Sequence, residues 1–334
     1  MRIAVDAMGG DFAPDEIVAG ARLAADMLGA QIALVGQPEA VEEALAGLPA
    51  SNERIEVEPA ADVIDMGESA RSAIRGRDDT SVAVAVEMVA DGRAQAVVSA
   101  GNSGAFMALS TVRMGTIPGV KRPAIAVTLP SPAGTRVLLD AGANADCKPG
   151  HLRDFGLMGS VYAEHALGIG SPRVGVLSIG EERGKGNELT KAAHELLAAT
   201  DVNFVGNVEG GDIYGDGCDV IVCDGFVGNV VLKASEGVAG VFAFEMREAI
   251  RSNLALRLVA PMFRTALRRI IRQFDYSEYG GALLLGVNGV SVVSHGCSDA
   301  NAIRNAIRFA CRAVERRVVE HISAVFAQRA ELPA

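Results

Sequence analysis

Three glycine-bordered segments of this 334-residue chain carry side chains able to hold an oxyanion. The first, Ser99-Ala100-Gly101-Asn102-Ser103-Gly104, follows an apolar run and precedes Phe106, Met107 and Leu109 at helical spacing. Free N–H groups at that helix start, its dipole and the Ser103 hydroxyl could receive an anion, although the same residues also suit a plain strand-to-helix turn. The second, Gly180 to Asn187, sets Lys185 between glycines that let a ligand approach the backbone. Its glycine spacing is one residue short of a nucleotide loop and Gly186 stands where Ser or Thr is required, so ATP is not indicated. A solvated surface lysine is the plain alternative. The third, Asp224-Gly225-Phe226-Val227-Gly228-Asn229, puts an amide near a helix start, where Asn229 can donate to an oxyanion and otherwise costs helix propensity. Asp224 either caps that helix or orients a neighbour.

The missing motifs narrow the chemistry. The chain has no G-x-S-x-G elbow, no H-E-x-x-H and no Cys/His metal spacing, so neither a metal nor a cofactor is expected. Its five histidines (His151, His165, His194, His295, His321) are scattered and read as surface or core residues. The Ser99 loop lacks a full G-x-G-x-x-G, and the next apolar run ends in Pro130 rather than a ribose-binding acid, which weakens a nicotinamide reading. A reaction needing no protein nucleophile fits this inventory: phosphate, already an anionic oxygen, attacking a thioester. The protein then has to align two reactants and stabilise a tetrahedral oxyanion, tasks for N–H groups, amides and a lysine.

The elements that must position these loops recur along the chain: a short β-branched run, a turn of Gly with Asp, Asn or Ser, then a helical period. Such alternation predicts a three-layer α/β/α unit with a mostly parallel sheet and five polar loops facing one crevice at the carboxyl ends of the strands. No repeat or long linker divides residues 1–334, so one catalytic unit is expected, with two lobes as the variant. Hydrophobic residues make up 49% and aromatics only 4%, which calls for a Val/Leu/Ile/Ala core. Five cysteines without a C-x-x-C pair, and an N-terminus unlike a secretion signal, point to a cytoplasmic protein. No unbroken run of about 18 apolar residues occurs, so no spanning helix is expected. The net charge of −10 argues against nucleic acid as a partner.

One stretch departs from that acidity. Between Ala249 and Phe274 lie six arginines and no acid, interleaved with leucines, with Pro261 placed to turn a helical hairpin over about 235–280. Arg257, Leu258, Val259, Met262, Phe263, Arg264 and Arg268 would form an apolar tip ringed by arginine, suited to an anionic membrane surface. Docking of an acidic protein and packing against a second copy are the competing uses.

Six motifs in chain order carry a resemblance: Val5 to Asp11 with Gly9 and Gly10, Val98 to Ala105, Leu139 to Asn144, Gly184 to Glu188, Val205 to Gly210 and Cys223 to Asn229. Together they resemble the PlsX family of bacterial phosphate acyltransferases, over residues 1 to about 312. The resemblance implies transfer of a fatty acyl group from acyl-carrier-protein to inorganic phosphate. The acyl-phosphate product would feed a membrane glycerol-3-phosphate acyltransferase. It further implies a homodimer, peripheral membrane association, and a fold similar to isocitrate and isopropylmalate dehydrogenases and phosphotransacetylase. On that basis Lys185 would neutralise phosphate or the developing oxyanion, Asn229 would donate to the thioester oxygen and Asp224 would orient one of them. Gly9, Gly10, Ser99, Asn102, Ser103, Asn144, Asn187 and Asn207 would bind substrate or phosphate. A nicotinamide-dependent 2-hydroxy-acid dehydrogenase and a non-catalytic membrane scaffold for lipid enzymes are the alternatives.

Overall fold

The computed structural model describes all residues except 50–52, 70, 71, 73, 75, 133, 253–280 and 331–334. Short β-branched runs form the strands β1 (Arg2–Asp6), β2 (Gln31–Gly36), β3 (Ile55–Pro59), β4 (Ala96–Ser99), β5 (Ala124–Ser131), β6 (Gly134–Leu139), β7 (Arg173–Leu177), β8 (Asn203–Val208), β9 (Val220–Val222), β10 (Ala282–Leu285) and β11 (Val290–Val293). Between them run the helices α1 (Asp15–Leu28), α2 (Pro38–Ala46), α3 (Ser81–Ala90), α4 (Ser103–Met114), α5 (Pro149–His165), α6 (Glu188–Ala198), α7 (Gly225–Ser252), α8 (Ala300–Glu315) and α9 (Val318–Ala330), with a 3₁₀ turn at Gly210–Tyr214.

All the strands join one sheet in the order β3-β2-β1-β4-β11-β10-β5-β6-β9-β7-β8. Pairing is parallel within β3-β2-β1-β4-β11 and within β6-β9-β7-β8, but antiparallel from β11 through β10 and β5 to β6. The two parallel blocks therefore run in opposite senses. This corrects the expectation of five loops in one row: the loops after β1 and β4 leave one edge of the sheet, and those after β6, β7 and β9 leave the other. What joins the two sets is the face of the strands in between.

Alternating side chains divide the core between the two faces. Ile3 and Val5 of β1, with Val137 and Leu139 of β6, belong to one continuous cluster that also takes Ile17 of α1, Phe155 and Met158 of α5, and Ile303 and Ile307 of α8. Helices α1 and α8 approach closely because Gly20 faces the Ala300 carbonyl and Ile303, where any larger side chain would clash. On the opposite face Ala4, Val97 and Ile125 pack with Phe106 and Met88, while Leu138, Ile221 and Leu177 pack with Ile213. Here the core is split in two, and Val127 of β5 touches both parts.

Against expectation, α7 is long and apolar enough to cross a membrane by length and composition alone, the only such helix among the described residues. Its start is fixed to the sheet instead: a Cβ on Gly228 would overlap the Asp140 carbonyl oxygen, and Gly225 N–H donates to the Asn144 carbonyl at 2.8 Å. Beyond Ser252, the rest of the expected 235–280 hairpin, with Arg257, Leu258, Val259, Met262, Phe263, Arg264 and Arg268, lies outside the described residues.

Candidate active site

The gap between the two half-cores is a cavity of about 410 Å³ over β5, within the roughly 300–1,000 Å³ range of small-molecule sites. Its floor is apolar, from Ile125, Val127 and Leu129, and Met66 and Met107 close one side. Polar groups gather where the two blocks meet. Ser103, His295 and Ser298 come from the loops and helix after β4 and β11, and Asn229, Lys233 and Glu236 come from α7.

The first block supplies its wall through a buried carboxylate. Asp6, at the end of β1, accepts the Ser99 hydroxyl at 2.7 Å and the Met8 N–H at 3.3 Å. Burial raises its pKa against the lowering effect of hydrogen bonds from Ser81, Ser99, Met8 and Gly9. Gly9 lies so close to Asp6 and the Gly101 backbone that a side chain cannot fit, and Gly10, at φ +119°, packs against the Gly296 carbonyl. Asp11 N–H donates to that same carbonyl at 2.8 Å. Three loops are thereby locked together. Asn102 caps α4 by accepting the Ala105 N–H at 3.0 Å, and its amide nitrogen donates to the carbonyls of Asp65, Met66 and Glu68. It thus holds the segment that places Met66 over the cavity, while Arg77 pairs with Asp62 and Glu68 at 2.6 Å to brace the same segment.

The second block repeats the device. Asp140, buried at the end of β6, accepts N–H groups of Ile125, Gly142, Ala143 and Asn144 at 2.7–3.1 Å. Burial raises its pKa too, opposed by hydrogen bonds from Ala143, Ile125 and both the backbone and side chain of Asn144. Asn144 spends its amide nitrogen on the Pro123 carbonyl and on Asp140, both at 2.8 Å. This network sets the angle at which α7 leaves the sheet, with Asp224 capping it by accepting the Val227 N–H at 2.8 Å. Residues 229, 232, 233, 236 and 239 then share the helix face that lines the cavity. Burial pushes the Cys147 thiol up to about 12 and Cys223 well above its ordinary value, so neither is a thiolate nucleophile at neutral pH.

Of the expected site residues, the structure brings Ser103 and Asn229 to the cavity. Gly9, Gly10, Ser99, Asn102, Asn144 and Asp224 stand behind it and hold its walls. Lys185, Asn187 and Asn207 form a separate group after β7: Lys185 is exposed, Asn187 caps α6 by accepting the Thr190 N–H at 2.9 Å, and Asn207 donates to the Glu182 carbonyl at 2.9 Å. Beneath that loop the Ser178 hydroxyl is buried with no hydrogen-bond partner among the described residues.

Sequence reasoning passed over Lys233, Glu236 and His295. Lys233 Nζ donates to Glu236 Oε2 at 2.9 Å and lies 3.1 Å from His295 Nε2. Since an ammonium only donates, Nε2 accepts from Lys233, while Nδ1 lies 3.1 Å from Cys297 Sγ and 3.5 Å from the Cys297 backbone N–H. Burial and the neighbouring Lys233 hold the His295 pKa below the ordinary imidazole value, against Glu236 and Asp11. The i, i+4, i+7 spacing of Asn229, Lys233 and Glu236 was the available signal.

Comparison with known proteins agrees with this architecture. The chain shares 51% identity with a phosphate acyltransferase of Desulforudis audaxviator (strain MP104C), over 97% of this chain and 95% of that one. It shares 47% with a phosphate acyltransferase of Thermosynechococcus vestitus (strain NIES-2133 / IAM M-273 / BP-1), over 97% and 95%. Among solved structures, a phosphotransacetylase from Streptococcus pyogenes matches with a TM-score of 0.62 at 17% identity, covering 94% of both chains. A 4-hydroxythreonine-4-phosphate dehydrogenase from Klebsiella pneumoniae matches at 0.56 and 14%, covering 94% and 99%; both are likenesses of fold. The family model described as fatty acid synthesis protein matches residues 1–321. By that match, and by half its residues shared with curated relatives along nearly their full length, this chain belongs to the fatty acid synthesis protein family, the PlsX family that its motifs resemble.

Proposed function

We propose that this chain is a phosphate acyltransferase, moving a fatty acyl group from an acyl-carrier-protein thioester to inorganic phosphate in the cavity over β5. The observation that carries the reading is the cavity's division into an apolar floor and a polar rim. An acyl chain fits the floor formed by β5 and the two methionines. Its thioester then lies at the rim, beside Ser103 and Asn229. A phosphate oxygen attacks the carbonyl carbon, forming the C–O bond. As the tetrahedral intermediate collapses, the C–S bond breaks and the sulfur leaves with its electron pair. The hydrogenphosphate proton neutralises that thiolate, so the products are acyl-phosphate and the free carrier thiol. Asn229 donates to the oxyanion, and no covalent acyl-enzyme forms.

Lys185 belongs to a separate glycine loop outside this cavity, and its assignment as a cation for phosphate is the rival proposal, supported by the buried Ser178 hydroxyl below it, which has no hydrogen-bond partner among the described residues. Two partner proposals accompany the activity. Exposed Val238, Val241, Phe242 and Phe244 on α7 lead toward the arginine-rich segment, which supports a cytoplasmic protein attached peripherally to an anionic membrane, where a glycerol-3-phosphate acyltransferase would consume the product. A homodimer covering part of α7 is the second. Purified protein incubated with acyl-carrier-protein thioester should lose thioester only when phosphate is present, with no added metal or nucleotide, and yield a hydroxylamine-trappable acyl-phosphate. Phosphate-independent thioester loss would reject the reading.

A further inference from the structure

We propose that Lys233 is a catalytic residue of the acyl transfer, a cation that holds the attacking phosphate, and that His295 is the residue that positions it. Lys233 sits one helical turn from Asn229 on the cavity face of α7. It is the lysine that lines the cavity, whereas Lys185 does not. An ammonium has three N–H donors. Glu236 takes one and His295 Nε2 a second, which fixes the head group from two sides and leaves the third for the cavity. The two anchors come from different blocks of the sheet, Glu236 from α7 and His295 from the loop after β11. The ammonium is therefore placed at the seam where the thioester and phosphate must meet.

The arrangement works only while His295 is neutral. An imidazolium cannot accept a hydrogen bond at Nε2, and its charge would repel Lys233. Glu236 and Asp11 favour protonation, Lys233 and burial oppose it, and the net effect is a depressed pKa. The sign follows: the clasp is intact above that pKa and opens as pH falls through it, below the ordinary imidazole range of about 6.5. Phosphate itself changes charge near neutrality, so the contribution of His295 has to be isolated by substitution.

This inference rests on the acyl-transfer reading, and the experiment separates the two. Initial rates are measured for the wild type, Lys233→Met, Lys233→Arg and His295→Gln, varying phosphate at fixed acyl-carrier-protein thioester and thioester at fixed phosphate, from pH 5 to 8. Circular dichroism and melting curves establish that each variant is folded. Lys233→Met should lower kcat/KM for phosphate about 100-fold or more, in the range seen for loss of a single oxyanion donor, with the thioester KM little changed. Lys233→Arg should recover part of that loss. Glutamine keeps an acceptor for Lys233 without titrating, so His295→Gln should keep substantial activity at pH 7 while its acid limb moves to that of phosphate alone. A wild type that forms no acyl-phosphate sinks the function. An active wild type with a folded Lys233→Met variant unchanged in phosphate kinetics, or a His295→Gln variant with an unmoved acid limb, overturns this inference and leaves the function standing.

Discussion

The two faces of the sheet bury similar residues to different ends. On one, Phe155, Met158, Ile303 and Leu139 belong to a single continuous cluster. On the other, the half-core around Phe106 and the half-core around Ile221 meet only through residues such as Val127, and the space between them is the cavity. The cavity lies where the strands reverse direction at β10 and β5, and α7 lines it with Asn229, Lys233 and Glu236 beside Leu232 and Ala239. Both faces bury core residues, but the cavity opens on the second.

Truncations on the two faces should therefore separate stability from chemistry. Phe155→Ala, in the continuous core, should cost about 3–5 kcal/mol, read as a fall in denaturation midpoint, because the site cannot collapse around the missing ring. Gly228→Val should follow at about 1–3 kcal/mol, since α7 must shift away from Asp140, and activity should fall with it as Asn229 and Lys233 leave their places. Val127→Ala should cost less than about 1 kcal/mol, as a residue already bordering open space leaves little new cavity. Its effect should appear instead as a changed preference among acyl chain lengths. A Val127→Ala variant destabilised as much as Phe155→Ala would show that the gap is filled in solution. The smallest effect concerns the segment carrying Met66. The Asp62 and Glu68 pKa values are lowered, first by hydrogen bonds from Arg77. Carboxylates depressed in this way contribute above their ordinary pKa and lose the contribution as pH falls through the lowered values. Arg77→Gln should speed amide exchange over residues 62–69 and leave the global melting temperature nearly unchanged.

The strand–turn–helix rhythm and the glycine loops were legible in the sequence because each depends on local chemistry. Gly9, Gly101 and Gly228 mark places where backbones touch, and Asp224 and Asn187 mark helix starts. Motif reading ranked Gly9, Ser99, Asn102, Asn144 and Asn187 as substrate-binding residues, and in the structure Ser99, Asn102 and Asn144 direct side-chain hydrogen bonds into the walls of the site. Strand direction was not legible: nothing local to β10 or β5 announces that they run antiparallel to their neighbours, so the loops were placed on one edge. His295 and Lys233 were missed for the same reason. Their partnership spans 62 residues of chain and exists only because β11 and α7 meet across the cavity.

In the proposed reaction the acyl group and phosphate occupy the split face. A crystal structure of the chain with a long-chain acyl phosphonate, a non-reacting stand-in for acyl-phosphate, tests it directly. The alkyl chain should lie against Val127 and Leu129, with the phosphonate oxygens within hydrogen-bonding distance of Asn229 and Lys233. A phosphonate seated in the Ser178–Asn187 loop, with the cavity over β5 empty, would contradict it.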